Sequence, residues 1–352
     1  MPLLWLALVS LGLGFAAFIT FSSLFSALNI AVGIAAGLVT LGAATFIALS
    51  VTGHDWRQVT GLTRFNAGDV LAGALIAVAN SLSISDWLGA LSTKIFPQII
   101  LDFFDTSRVL AGAMTNRIEQ TLVVIAVVVL APLAEEFFFR GVLFHGLTRR
   151  FGVMTSALIS GVVFSAYHLD PVGFLARAEI GFLLAVLVWK TGSLWPAIAA
   201  HAANNALASA LMFAEVPDTE LPRWVGFVSL GLLAVSGLWL WRQPTAEPVS
   251  DPPVPRASFI RVTAPWLVGF AVVAALVYAV DARGAQLTRI DLAAPLIGAG
   301  HESEETALQA LRTQARAGDA KIAEYRTRRE AMSQERFKAM IERLLPPTKK
   351  HQ

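Results

Sequence analysis

Apolar stretches recur along the chain between short polar breaks, at 3–24, 28–50, 69–91, 117–147, 153–169, 173–189, 194–213, 224–241 and 264–280. About twenty apolar residues in a helix cross the roughly 30 Å hydrocarbon core of a bilayer. The pattern therefore predicts an all-α protein, a polytopic transmembrane helical bundle of about eight to nine spans. The first two stretches follow each other closely and read as a helical hairpin.

The breaks carry as much information as the runs. "ANSLSISD" interrupts the third stretch and predicts a shorter span or a bend near Asn80. The fourth region is too long for one upright helix; it must tilt, project from the membrane or break near Pro132, whose ring clashes with the preceding turn. Residues 96–114 mix aromatics with Asp102, Asp105 and Arg108. They suit either an interfacial amphipathic segment or an ordinary connection. The polar, Pro-rich "RQPTAEPVSDPPVPR" at 242–256 reads as a linker. Residues 304–345 mix charges of both signs with apolar positions at helical intervals, which predicts one or two helices outside the membrane. The resulting organisation is an N-terminal hairpin and loop (1–64), a core (65–241), a linker (242–263), a last span (264–280) and a charged, mainly helical tail (281–352). The tail offers self-association or a protein partner.

Composition agrees with this reading. The 352 residues are 55% hydrophobic and only 15% charged, against about 25% charged in soluble proteins, and the mean hydropathy is +0.62. The absence of cysteine excludes disulfides, thiolate metal sites and cysteine nucleophiles. The formal net charge of +2 and the matched charges of the tail give no nucleic-acid signature. The first apolar run lacks a basic n-region and outlasts a signal-peptide core, so it reads as a membrane helix. On a nine-span count, Arg57, Arg64, Arg149, Arg150, Lys190, Arg242, Arg256 and Arg261 share the N-terminal side. The positive-inside rule then puts the N-terminus in the cytoplasm, with the tail on the far side.

Against this apolar background the polar groups stand out. A charge at mid-bilayer costs roughly 2.5–3.5 kcal/mol on insertion scales, yet Glu135, Glu136, Arg140, His168, His201 and Asn205 all lie in or beside predicted spans. Glu136 and Arg140 are four apart and share a helix face, where they can pair. Glu135 points about 100° away and is left to face a cavity. Phe164 stands one turn before His168, and His201 one turn before Asn205. Small residues in "SALISGVVFSAYH" allow another helix to come close. Arg177 and Glu179 are too close in sequence to share a face and stay outside the set.

Glu, His, His and Asn suit hydrolysis of an amide by activated water. A glutamate in a partly apolar site can take a proton from water, and His168 can position that water and share in proton transfer. His201 and Asn205 can donate to an oxyanion developing on a carbonyl. Glu135, His168 and His201 also form a Glu-His₂ set of the kind catalytic zinc prefers. A transporter relaying protons through the same groups is a reading from another class, although these motifs have no second copy in the chain. A catalytically inactive scaffold that binds a membrane partner is a third.

The motifs "EEFFFR" (Glu135, Glu136, Arg140), "FSAYH" (Phe164, His168) and "HAANN" (His201, Asn205), in that order, resemble the CPBP intramembrane protease family. That family includes the CAAX prenyl endopeptidases and the bacterial Abi proteins. The resemblance covers roughly 65–215 and implies a helical bundle with a membrane-embedded cavity that cleaves peptide bonds. It implies that Glu135 and His168 activate water, that His201 and Asn205 form the oxyanion hole, and that Glu136, Arg140 and Phe164 support them. No cofactor is preferred, with zinc as the alternative. The implied partners are the lipid bilayer and a membrane-associated peptide or protein substrate, prenylated or not. The setting that fits is a bacterial inner membrane.

Overall fold

The computed structural model describes residues 3–26, 30–97, 101, 117–213 and 222–248, with further residues between 251 and 275. The chain divides into two compact units, Met1–Ala274 and Ala275–Gln352, and the helical bundle belongs to the first. The expected tail, most of 96–114 and most of the span expected at 264–280 lie outside the described residues.

The described residues form nine helices, and several ends follow from local chemistry. α1 (Leu3–Ser26) and α2 (Ile30–Thr52) pack as a hairpin. The single turn α3 (Trp56–Val59) is capped by Asp55, whose carboxylate accepts from the Arg57 and Gln58 N–H groups. α4 begins behind its cap Asn66 and runs through Ala67–Asn80, a widened π turn at Ser81–Ser85, and Asp86–Ile95. The Ser83 hydroxyl bonds back to the Ala79 carbonyl at 2.6 Å, a local competition that loosens a helix. α5 runs through Arg117–Ile125, a π turn at Ala126–Leu130, Ala131–Phe138, a second π turn at Phe139–Phe144, and His145–Thr148. α6 (Val153–Tyr167), α7 (Phe174–Thr191), α8 (Trp195–Phe213) and α9 (Arg223–Arg242) complete the set.

α2 lies along α5, α4 packs on α8 and α9, and α6 packs on α7. One apolar core runs through Leu3, Leu41, Ile76, Phe138, Leu184 and Ala200. The α6–α7 crossing is backbone on backbone. A Cβ at Gly161 would sit 2.5 Å from the Ala178 carbonyl oxygen, and one at Gly181 would sit 2.8 Å from Gly161 Cα. Only glycines allow this approach, and it brings the end of α6 against α5.

The Pro-rich segment after α9 is strapped across one end of the bundle. Ala246 N–H donates to the Lys190 carbonyl at 3.0 Å, Val254 N–H to Gly53 at 3.1 Å and Ala257 N–H to Ser50 at 3.0 Å. Asp251 lies 2.9 Å from both His54 Nδ1 and Arg149 Nη2. Lys190 Nζ donates to the carbonyls of Trp241 and Gln243 and to Thr245 Oγ1.

The all-α membrane architecture stands, but the span count does not. Among the described residues four helices are long and apolar enough to cross a membrane: Val32–Thr52, Ala67–Ile95, Gln120–Thr148 and Trp224–Arg242. The expectation of eight to nine fails because a count of apolar runs ignores the length and polarity of the helices they form. α6 has only 15 residues, and α1 supplies a shorter apolar stretch, Leu3–Phe18. α7 carries Arg177, Glu179 and Lys190, while His201, Asn204 and Asn205 interrupt the apolar run of α8. With the count corrected, the nine-span partition of basic residues no longer applies. The chain is an integral membrane protein on the strength of the four long helices.

Candidate active site

Three helices converge on Glu135. It sits in the α-helical stretch of α5 between the two π turns, and its side chain is 7% exposed. Its Oε2 atom is buried, with no hydrogen-bond partner among the described residues. His168 caps the end of α6, with its Nε2 4.0 Å from Glu135 Oε2. His201 on α8 brings its own Nε2 to 3.8 Å from the same oxygen. The His168 side chain is 30% exposed and that of His201 only 7%, so the cluster opens on the His168 side.

Both imidazoles are oriented from behind. His168 Nδ1 lies 2.9 Å from the Phe164 carbonyl oxygen. A carbonyl only accepts, so Nδ1 carries the proton and Nε2 faces Glu135. His201 Nδ1 lies 2.9 Å from Glu136 Oε1, which fixes that ring in the same sense. Arg140 Nη1 reaches the same Glu136 oxygen at 2.6 Å, with both side chains wholly buried. Nη2 of Arg140 donates to the Gly181 carbonyl at 3.0 Å, a bond that depends on the close α6–α7 crossing.

Phe164 is the hub of this second layer. The Arg140 guanidinium lies 4.4 Å from its ring centroid, a cation–π distance. The rings of His168 and His201 meet it edge-on at 4.9 and 5.6 Å. The loop after His168 is fastened by Arg177, whose Nη2 contacts Asp170 Oδ2 at 2.5 Å and donates to the Asp170 carbonyl at 3.0 Å. Asp170 Oδ1 accepts from the Val172 and Gly173 N–H groups. Leu169, directly after His168, takes a positive φ of 52° inside this turn, a conformation unusual for a residue with a Cβ.

Asn205 stands apart from the Glu135 cluster. Its Nδ2 donates to the Val127 carbonyl of α5 at 2.9 Å, and its Oδ1 accepts from Asn204 Nδ2 at 3.1 Å. No hydrogen bond or ion pair joins it to Glu135, His168 or His201 among the described residues. Glu179 faces α4, where Asn80 Nδ2 and Ser85 Oγ donate to it at 2.9 and 3.1 Å. Sequence reasoning passed over Ser81, Asn204 and Asp170. A doubled asparagine within an apolar helix was the signal for Asn204, and the Asp-Pro step marked the turn at Asp170.

The Glu-His₂ set does not fit zinc as it stands. Ligands about 2.0–2.1 Å from a tetrahedral ion lie about 3.3 Å apart, whereas the carboxylate-to-imidazole separations here are 3.8 and 4.0 Å. Among the described residues no three His, Asp or Glu side chains converge as a metal site. An open apolar pocket of about 390 Å³ lies between α2 and α5, and Glu135, His168 and His201 do not line it. Phe46, Trp56, Leu133, Ala134, Phe137 and Trp266 are among the residues lining it.

Residues 117–207 match the family described as Type II CAAX prenyl endopeptidase Rce1-like, and all three motifs fall within the match. A stretch of 84 residues is 32% identical to the Bacillus subtilis (strain 168) protein YdiL, whose name proposes a membrane peptidase. That stretch covers 24% of this chain and 34% of YdiL, so the match spans about a third of the relative's length. No solved structure matches.

Proposed function

We propose that this chain, which carries an Rce1-like CAAX protease domain over residues 117–207, is an intramembrane endopeptidase that cleaves a membrane-associated protein or peptide. The observation that carries the reading is Glu135 Oε2, buried without a hydrogen-bond partner among the described residues and faced by two oriented imidazole Nε2 atoms. A water about 2.8 Å from each group suits these separations. Glu135 takes a proton from that water while His168 holds it, and the oxygen attacks the scissile carbonyl carbon. His201, which carries a proton on each nitrogen before the water is deprotonated, donates from Nε2 to the resulting oxyanion, and Asn205 donates from its amide. The C–N bond then breaks, and the leaving amine takes the proton held by Glu135. No nucleophilic side chain is required.

The apolar cavity beside Ala134 and Phe137 supports a substrate with an apolar portion, either a membrane segment or a prenyl group. The similarity to a bacterial protein supports a bacterial inner membrane. The strapped end of the bundle gathers Arg64, Arg149 and Lys190. Leu3 and Leu4 pack against Gly146 near the same end. By the positive-inside rule this supports a cytoplasmic N-terminus.

The test uses the purified full chain in liposomes and two quenched-fluorescent probes, one peptide with a farnesylated cysteine near its C-terminus and one unprenylated transmembrane peptide. Wild type is expected to cleave at least one, while folded Glu135→Ala and His168→Ala each fall by about 10²-fold or more. Equal cleavage by all three proteins, or none by wild type, overturns the reading.

A further inference from the structure

We propose that Ser81 and Asn204 are positioning residues that fix the amide of Asn205 through a one-way chain of hydrogen bonds ending on α5. The proposal rests on the reading of Asn205 as an oxyanion donor. The chain has three links: Ser81 Oγ to Asn204 Oδ1 at 2.7 Å, Asn204 Nδ2 to Asn205 Oδ1 at 3.1 Å, and Asn205 Nδ2 to the Val127 carbonyl at 2.9 Å. It joins the π turn of α4 to α8 and then to the first π turn of α5.

Its direction is set at the α5 end. A backbone carbonyl can only accept, so the nitrogen of Asn205 must face Val127. Turning the amide over would set two acceptors against each other. The Asn205 oxygen therefore faces Asn204, which must answer with its own nitrogen, and the Asn204 oxygen in turn faces Ser81. The Ser81 hydroxyl lies 2.7 Å from both the Ala77 carbonyl and the Asn204 oxygen. Ala77 already accepts from the Ser81 backbone N–H, and an Asn204 oxygen fixed from the α5 end can only accept. The one hydroxyl hydrogen therefore goes to Asn204. Each amide orientation follows from the one before it.

The Val127 carbonyl is available because the helix is widened there. The Ala131 N–H, which would close an ordinary α turn on Val127, bonds the Ala126 carbonyl instead. The next residue, Pro132, has no N–H to offer. Asn205 fills this gap with one of its two amide hydrogens, and the second remains for a substrate carbonyl. Without Asn204, the Val127 bond is the only one left to restrain the amide among the described residues.

The test is a double-mutant cycle on the full chain in liposomes, with kcat and KM measured on whichever of the two peptides wild type cleaves. Asn205→Ala is expected to lower kcat by about 10²–10³-fold. Asn204→Ala should lower it about ten- to a hundredfold with KM little changed, as expected for a misplaced donor. On the Asn205→Ala background, Asn204→Ala should change kcat by less than about twofold, because it acts only through Asn205. Ser81→Ala should follow Asn204→Ala in direction, and Ser81→Thr, which keeps the hydroxyl, should restore the rate. An unchanged kcat in Asn204→Ala, an equal loss in both backgrounds, or no rescue by threonine overturns the positioning role. An unchanged kcat in Asn205→Ala instead overturns the oxyanion reading, and the proposal falls with it.

Discussion

Glu136 accepts a hydrogen bond from His201 Nδ1 at 2.9 Å through the same oxygen that pairs with Arg140. The carboxylate is thus shared between a buried cation on its own helix and an imidazole on another. It ties α8 to α5 and aims His201 Nε2 at Glu135. On the proposed reading, Glu136 acts by orienting a neighbour, while Glu135 acts on the water.

Glu136→Gln is the substitution that separates these two roles. Glutamine keeps the shape of the side chain but lacks the charge that holds Arg140 and His201 together. By analogy with carboxylates that orient a catalytic histidine, kcat should fall by about 10²–10⁴-fold, with KM little changed. Steady-state cleavage of the peptide used for wild type checks this; a kcat within about threefold of wild type would count against the orienting role.

Arg140 should matter first to stability. Its side chain is wholly buried, and it bonds Glu136 and the Gly181 carbonyl while lying over Phe164. Arg140→Ala leaves the Glu136 carboxylate uncompensated and should cost about 3–5 kcal/mol, read as a lowered unfolding temperature in detergent. Arg140→Lys should recover little, because an ammonium cannot serve Glu136 and Gly181 as a planar fork while stacking on Phe164.

Much of the candidate site's geometry within each helix was legible in the sequence because α-helical periodicity fixes which neighbours share a face. The i,i+4 spacing placed Glu136 with Arg140 and turned Glu135 elsewhere, and it set Phe164 beneath His168. Contacts between helices were not legible. Nothing in the spacing of His201 indicates that its Nδ1 meets Glu136, or that Asn205 reaches back to Val127. The span count failed for a related reason. Hydropathy averages over a run, whereas crossing a membrane depends on the length of the folded helix and on polar groups such as Arg177, Glu179 and Asn204 within it.

The α6–α7 crossing predicts a steric effect away from the reacting atoms. A methyl group at Gly161 would meet backbone atoms of Ala178 and Phe182 at 2.5 and 2.7 Å, and backbone cannot swing aside as a side chain can. Gly161→Ala should therefore push α6 from α7, costing about 1–3 kcal/mol and displacing His168 from Glu135. Gly152→Ala is the control, since a Cβ there meets nothing within 4 Å among the described residues. Loss of both stability and turnover in the first variant, with neither in the second, is the expected result.

Pro132→Ala should move stability and activity in opposite directions. Proline in a helix interior costs about 3 kcal/mol through its missing N–H and its ring clash, so alanine should raise the unfolding temperature. The same change lets the turn at Ala126–Leu130 close as ordinary α-helix, with the Ala131 N–H returning to the Val127 carbonyl. Alternatively, it supplies a new N–H at position 132 for that carbonyl. Either way Asn205 must compete for an acceptor it now holds through a 2.9 Å bond. Cleavage should slow by about tenfold or more in a protein that melts higher than wild type. A variant that is more stable and equally fast would show that the widened turn contributes nothing to the placement of Asn205.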